Sequence, residues 1–229
     1  MPNRNGNGNE TDDLLSDVRT VARSYFPDGM SPAHDWFHVR RVESNAERLL
    51  AARPDADGRV VRLAVLLHDV GRAREDRGEI DDHAEWGAAE SERLLRERGA
   101  AEGTVAAVAH AVRAHRYSGP VAPETIEAEL LSDADDLDAL GAVGVARCFA
   151  YGGERGSPIH DPSLPPGADS TDAGRTQFNH LHEKLLDLPE RMHTDAGREL
   201  AAERADFVRT FARRFEAETE AGVGRGDDR

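Results

Sequence analysis

The sequence predicts an all-α protein with a single domain. Apolar residues recur at intervals of three and four over most of the 229 residues, which is the spacing of one face of an α-helix. No stretch shows a convincing alternation of apolar and polar residues, the pattern of a half-buried strand. A chain of this length can bury one sizeable core. We therefore expect one bundle of about eight or nine helices.

The first third of the chain is predicted to form a polar leader and three helices. The leader, residues 1–10, is expected to be flexible, and Thr11 is a plausible N-cap for a helix that ends at the turn of residues 27–29. A second helix is predicted at about 34–52. The third, at 59–70, is apolar on nearly all sides, which is typical of a central, buried helix.

The rest of the chain continues the helical pattern with one long interruption. Residues 152–170 are rich in Gly and Pro and are predicted as a loop whose length suggests function or mobility. With a flexible tail at 222–229, the folded domain is expected to span residues 11–221. The remaining helices are predicted at about 82–98, 103–115, 124–140, 141–151, 176–188 and 195–221.

Charge and composition exclude several classes of protein. The chain carries 29 Lys and Arg against 44 Asp and Glu, a formal charge of −15, which argues against nucleic acid and against anionic membranes as partners. It contains no apolar run long enough to span a membrane and no apolar stretch of a signal peptide near its beginning. Cys148 is the only cysteine, so an intrachain disulfide framework is excluded. We expect a cytoplasmic protein.

Several histidines lie on predicted helices that are otherwise apolar. His34 and His38 are four residues apart and share one helix face. The doublet His68-Asp69 ends the most buried helix, where an ionised aspartate is costly unless it is paired or bound to a metal. Further histidines follow on the next two predicted helices: His83, His110 and His115.

A cluster of aspartates lies in residues 130–140, a segment that otherwise resembles a core helix. Asp133 and Asp135 are about 200° apart around a helix, so only one of them can point at a given ion. Helical spacing alone leaves that choice open. Each feature also has a structural explanation, since paired histidines can cap a helix and acidic clusters are often solvated faces. Together they suggest a site for Mn, Fe, Co, Ni or Zn, the metals that mixed imidazole and carboxylate ligands suit.

The order of these features resembles the HD superfamily of metal-dependent phosphohydrolases, which are all-α proteins named for their His-Asp doublet. The resemblance rests on HDWFHVRRV (34–42), LLHDVGR (66–72) and DADDLDALGAVGVAR (133–147), and extends through HAVRAHRYS (110–118). It implies a helical bundle of HD type that binds a divalent ion of Mn, Mg, Co, Ni, Fe or Zn. Within the superfamily the chain is most similar to compact nucleotide pyrophosphohydrolases.

Residue roles follow from matching this sequence to the superfamily motifs. Asp69 is expected to take part in catalysis as well as metal binding, and Asp133 to orient a histidine ligand. His34 and His115 are candidates for proton transfer to the phosphate or the leaving group. His83 and His110 are alternative or additional ligands, and a second metal is possible. The implied metal ligands are His38, His68, Asp69 and Asp135.

Cationic side chains should hold the phosphates, because two carboxylates already neutralise a divalent ion. Guanidinium groups match phosphate oxygens in pairs, although each arginine could instead form a surface ion pair. Lys184 is the only lysine in the chain. The candidates are Arg41, Arg72, Arg116, Arg147 and Lys184.

Two departures from superfamily patterns narrow the function. Val70-Gly71-Arg72 follows the doublet where alarmone hydrolases carry Glu-Asp, and the Gly-Tyr-Pro signature of cyclic-dinucleotide phosphodiesterases is absent. The resemblance to the pyrophosphohydrolases implies a small phosphorylated molecule as substrate, first a nucleoside or deoxynucleoside triphosphate cleaved to monophosphate and pyrophosphate. Alternatives are a nucleotide phosphomonoesterase or phosphodiesterase, or a regulatory module that binds metal and nucleotide without turnover. The sequence leaves open a monomer or a homodimer.

Overall fold

Helices account for nearly all regular structure in the computed structural model, which describes residues 7–116, 119–171 and 174–220. Nine helices have seven residues or more, and these ranges contain no strand, so the predicted all-α fold is confirmed. The helices are α1 (Asn7–Arg23), α2 (Trp36–Ala51), α3 (Gly58–Leu67), α4 (Arg72–Asp76), α5 (His83–Glu97), α6 (Glu102–Ala114), α7 (Ile126–Asp138), α8 (Gly141–Glu154), α9 (Gln177–Glu183), α10 (Leu188–Arg191) and α11 (Asp195–Glu220).

Helix α3 forms the centre of the bundle, as its apolar sequence predicts. It packs against α1, α2, α6 and α7, and Leu63, Leu66 and Leu67 are completely or almost completely buried. Burying a leucine side chain is worth about 1.5–3 kcal/mol, so the helix is held firmly on all sides. Its carboxyl end therefore carries His68 and Asp69 into the interior.

Side-chain N-caps fix where two of the site-bearing helices begin. Asp35 accepts a hydrogen bond from the amide of His38 at 2.9 Å. Asp82 accepts hydrogen bonds from two amides in the first turn of α5. Because such a cap sets the direction of the first helical turn, His38 lies in the first turn of α2 and His83 is the first residue of α5.

The ends of the chain differ from the prediction where the structure describes them. Helix α1 begins at Asn7, so Thr11 lies inside it and is not an N-cap. Residues 1–6 of the predicted leader and the predicted tail at 222–229 lie outside the described residues. The short helix α4 was not predicted, since its five residues are too few to show a helical period.

The helix predicted at 176–188 is broken at the lysine. Helix α9 ends before Lys184, which has φ −131° and ψ −58°, and a 3₁₀ turn at Leu185–Asp187 leads into α10. Pro189 lies in the first turn of α10. Its missing amide hydrogen costs nothing at that position, because the first amides of a helix have no partner within the helix. In the interior of one continuous helix the same proline would break the hydrogen-bond ladder. The break places Lys184 at the end of α9.

The long loop predicted at 152–170 is present, although α8 extends to Glu154 at its start. It contains a single 3₁₀ turn at Pro166–Ala168. Backbone hydrogen bonds from residues 177 and 178 to Pro158 and Ile159 fasten it to the beginning of α9. Among the described residues, no helix is both long and apolar enough to cross a membrane.

The cap of α3 can be tested by mutation. Asp57 accepts hydrogen bonds from the amides of Arg59 and Val60, so Asp57→Ala should lower the free energy of unfolding by about 1 kcal/mol in urea denaturation. Asp55→Ala is a matched control, because its carboxylate pairs only with the side chain of Arg53 on the surface. Equal loss in both variants would contradict a capping role for Asp57.

Candidate metal and phosphate site

A polar cavity of about 640 Å³ opens where the ends of several helices meet. Its volume lies within the range of about 300–1,000 Å³ typical of small-molecule sites. Residues from the loop before α2 and from α3–α9 contribute to its walls. The polar and aromatic residues among them include His34, Asp69, Arg72, His83, His115, Arg116, Asp135, Asp136, Arg147, Tyr151, His180 and Lys184.

The four residues predicted as metal ligands lie together, and two of them, Asp69 and Asp135, line this cavity. The Nε2 atoms of His38 and His68 are 3.2 Å apart, and Asp135 Oδ1 is 3.3 Å from His38 Nε2. Asp69 Oδ2 lies 3.6 and 3.7 Å from the same two nitrogens. Ligands bound at about 2.0–2.2 Å to one ion are themselves roughly 3–3.5 Å apart, so this donor set fits a divalent cation.

Hydrogen bonds fix the tautomers of the two buried histidines. His38 Nδ1 lies 2.8 Å from Asp138 Oδ2, and His68 Nδ1 lies 2.8 Å from the carbonyl oxygen of Val65. Both partners accept, so Nδ1 is the donor in each ring and Nε2 keeps its lone pair. The two Nε2 atoms face each other at 3.2 Å, a distance that suits either a bound cation or a proton shared between the rings.

The second oxygen of Asp69 faces another pair of histidines. Oδ1 lies 3.4 Å from His83 Nε2 and 3.8 Å from His115 Nε2. His115 Nδ1 donates to the carbonyl oxygen of Val112, and His83 Nδ1 donates to Glu75, so both Nε2 atoms point inward. Asp69, His83 and His115 thus form a further group that could hold a cation, and one carboxylate joins the two groups.

His34 lies at the edge of the cluster, where the cavity is open. Its Nδ1 is 3.1 Å from Asp69 Oδ2. Its ring meets those of His38 and Tyr151 edge to face. Desolvation lowers the pKa of His34 to about 3, although Asp69 opposes the shift. The imidazole is therefore neutral near pH 7, and its second nitrogen can accept a hydrogen bond.

The carboxylates of the site differ in the direction in which their pKa values are shifted. Desolvation alone would raise the pKa of Asp69 and of Asp135, but the surrounding histidines outweigh it and hold both below the ordinary value. Both carboxylates are therefore ionised. For Asp136, desolvation and the neighbouring Asp135 act together and raise the pKa to about 7.

Three of the predicted phosphate-binding arginines and Lys184 line the cavity. Arg72 Nη2 donates to Tyr151 Oη at 3.2 Å, and Arg116 pairs with Asp82 at 2.8 Å. Arg147 uses two nitrogens to hold Asp138 and the carbonyl oxygen of Ala33. Desolvation lowers the pKa of Lys184.

The structure corrects the prediction for Arg41. Its Nε and Nη2 donate to the two carboxylate oxygens of Asp138 at 2.8 and 3.1 Å, and it does not contribute to the cavity wall described above. The buried Asp138 takes up this guanidinium, because an unpaired charge at that depth would be costly. Arg41 therefore supports the His38 side of the site instead of facing a phosphate.

The predicted role of Asp133 belongs to Asp138. Asp133 accepts hydrogen bonds from the amides of His193 and Thr194 at 2.8 and 2.9 Å, on the opposite side of α7 from the cluster. Asp138, which the sequence reasoning missed, orients His38. The signal was available, since residues three apart on a helix share a face and Asp138 follows Asp135 by three.

His110 also lies away from the metal groups. Its Nε2 accepts a hydrogen bond from the amide of Glu124 at 3.0 Å, so it fastens the segment that leads into α7 and is not placed as a ligand. Tyr151 is a half-buried cavity residue that the sequence did not single out. Its Oη accepts from Arg72, and the guanidinium of Arg155 lies 4.3 Å from its ring centroid.

Comparisons with known proteins identify the family of this chain. Residues 36–140 match the family model for the HD domain. The chain is 32% identical over 203 residues to the uncharacterized protein YpgQ of Bacillus subtilis, covering 87% of this chain and 90% of YpgQ.

Two solved structures extend the comparison. An HD-superfamily hydrolase from Bacillus thuringiensis is 31% identical, with a TM-score of 0.71 over 92% of this chain and 99% of that protein. A structure of Bacillus subtilis YpgQ in complex with ADP has a TM-score of 0.69 and 28% identity, over 89% of this chain and 97% of that one. The chain belongs to the HD superfamily of metal-dependent phosphohydrolases.

Proposed function

We propose that this phosphohydrolase acts on a nucleoside or deoxynucleoside triphosphate and releases the monophosphate and pyrophosphate. The observation that carries the proposal is one cavity in which the histidine and aspartate cluster faces Arg72, Arg147 and Lys184. The ADP bound to YpgQ supports a nucleotide as the ligand. The size of the cavity, about 640 Å³, is sufficient for a polyphosphate chain.

We assign the metal to His38, His68, Asp69 and Asp135, whose facing atoms were described above. Mixed nitrogen and oxygen ligands suit Mn, Fe, Co, Ni or Zn, and Mg is included as the usual partner of nucleotide phosphates. A divalent ion held there would lower the pKa of a bound water and neutralise negative charge on the phosphate.

The arginines and the lysine bind and orient the substrate. Two ionised carboxylates balance the charge of a divalent ion, so the negative charge of the polyphosphate must be balanced by other groups. Arg147 Nε is buried without a hydrogen-bond partner among the described residues, and Arg147 lines the cavity. Arg72 and Lys184 add positive charge on the neighbouring walls.

Two histidines are candidates for handling water and protons. The Nδ1 of His34 donates to Asp69, so Nε2 of the neutral ring accepts a hydrogen bond from the attacking water and orients it. His115 is the second candidate, because Asp69 and Asp135 raise its pKa despite desolvation and keep its ring protonated over a wider pH range. A protonated imidazole can donate to the leaving group.

The products decide between the proposed reaction and its alternatives. The full chain should release pyrophosphate from one or more nucleoside or deoxynucleoside triphosphates in the presence of Mn²⁺, Co²⁺ or Ni²⁺, as followed by phosphorus NMR. Orthophosphate as the first product would indicate a phosphomonoesterase. Tight nucleotide binding with no product would indicate a regulatory module and contradict the proposal.

The choice of Asp135 as a ligand can be tested against its neighbour on the same helix. Asp135→Asn should abolish stoichiometric metal binding and lower kcat/KM by more than about 100-fold. Loss of a residue that only orients a metal ligand typically costs no more than about 100-fold. Asp133→Asn is the matched control, since Asp133 holds the backbone at His193 and Thr194. Metal content should remain in the control, as measured by atomic emission, and the reverse pattern would show that Asp133 is the ligand.

The role of Asp138 predicts a loss of metal affinity with little change in fold. Asp138→Asn removes the charge that holds the Nδ1 proton of His38, so the affinity for Mn²⁺ should fall by about 10- to 100-fold. Titration calorimetry measures the affinity, and circular dichroism monitors helicity. An unchanged affinity would mean that Asp138 only anchors Arg41 and Arg147.

A further inference from the structure

A second cavity of about 360 Å³ adjoins the main one. Arg116 and Asp136 line both cavities, so the two spaces meet at these side chains. Residues 119–123 form one wall of the second cavity, and Ser132 of α7 lies on another. Its volume falls within the range of about 300–1,000 Å³ typical of small-molecule sites.

Two residues that we do not assign as metal ligands, His110 and Asp133, hold the walls of this cavity in place. His110 Nε2 accepts from the amide of Glu124 at 3.0 Å, directly after the wall segment 119–123. Asp133 accepts from the amide of His193 at 2.8 Å, and His193 lines the cavity. The cavity is therefore braced on two sides by buried or half-buried polar groups.

The lining combines an apolar surface with a few hydrogen-bonding groups. Pro120, Val121 and Pro123 offer flat apolar contacts on one side, and Ser132 and Asp136 offer a hydroxyl and a carboxyl group on the helix α7. Such a mixture is typical of sites that bind a ring system and read its polar edge. Arg191 and His193 also line this cavity, but charged groups are fewer here than in the main cavity.

We propose that the second cavity binds the nucleoside part of the nucleotide whose phosphates lie in the main cavity. The inference rests on the proposed nucleotide substrate. Arg116 stands at the junction, where the sugar would join the phosphates. The hydroxyl of Ser132 and the carboxyl of Asp136 face the edge of the base or the sugar hydroxyls, which can donate and accept hydrogen bonds.

The main cavity offers a less suitable place for the base. Its aromatic residue, Tyr151, has the guanidinium of Arg155 4.3 Å from its ring centroid and the ring of His34 at 6.1 Å. Its hydroxyl accepts from Arg72. These contacts already occupy the surroundings of the tyrosine ring, so a base is not expected to stack there.

Filling the second cavity should separate nucleoside binding from phosphate binding. Ser132→Phe adds a ring from the buried face of α7, and Ala122→Trp adds one from the opposite, exposed wall. Ala52→Trp is the matched control, because Ala52 is also exposed and lines neither cavity. The ligands are ADP and inorganic pyrophosphate, titrated calorimetrically into the full chain loaded with Mn²⁺.

Both cavity variants should bind ADP at least tenfold more weakly than the unmodified chain and bind pyrophosphate within twofold of it. The control should match the unmodified chain for both ligands. Two results would overturn the nucleoside site. One is an ADP affinity of Ala122→Trp that stays within twofold of the unmodified chain. The other is an unmodified chain that binds ADP no more tightly than pyrophosphate. If Ser132→Phe fails to fold, Ala122→Trp decides alone. An unmodified chain that binds neither ligand overturns the proposed function itself.

Discussion

An ionised carboxylate buried at the end of the most apolar helix is the constraint on which the site depends. Asp69 is only 2% exposed, and α3 holds it in the core by packing on five neighbouring helices. A charge at that depth is tolerated only with compensating groups. His68, His34 and His115 supply part of that compensation, and a bound cation would supply the rest. The requirement explains why residues so distant in sequence meet at one point.

Asp138, Arg41 and Arg147 form a group of charged residues beside the predicted metal ligands. Asp138 is almost fully buried and lies between His38, Arg41 and Arg147, so the orientation of one imidazole is tied to two guanidinium groups from separate helices. The carboxylate accepts from all three side chains, which leaves it no unmet hydrogen-bonding need. Arg147 also borders the cavity, and it therefore links the position of His38 to the region where we place the phosphates.

The sequence predicted the helices and the converging cluster well because both follow from local rules and short motifs. His38, His68, Asp69 and Asp135 meet as expected, since motif spacing encodes their place on α2, α3 and α7. The positions of the residues for which the prediction was wrong, Asp133 and Arg41, are determined by tertiary contacts. Asp133 lies on the same helix as Asp135 but faces another partner, and which partner each face meets is decided by packing. The sequence predicts that Arg41 binds phosphate, because sequence alone does not show that the buried carboxylate of Asp138 lies beside it.

The break in the helix at Lys184 has a practical consequence. It places the chain's only lysine side chain in the wall of the main cavity, where desolvation lowers the pKa of the amine. A lowered pKa increases the fraction of unprotonated, nucleophilic amine at a given pH. Apart from the α-amino group, an amine-directed reagent has a single target on this protein. Protection of that amine from the reagent by a bound ligand would report the arrival of the ligand directly, without reliance on turnover.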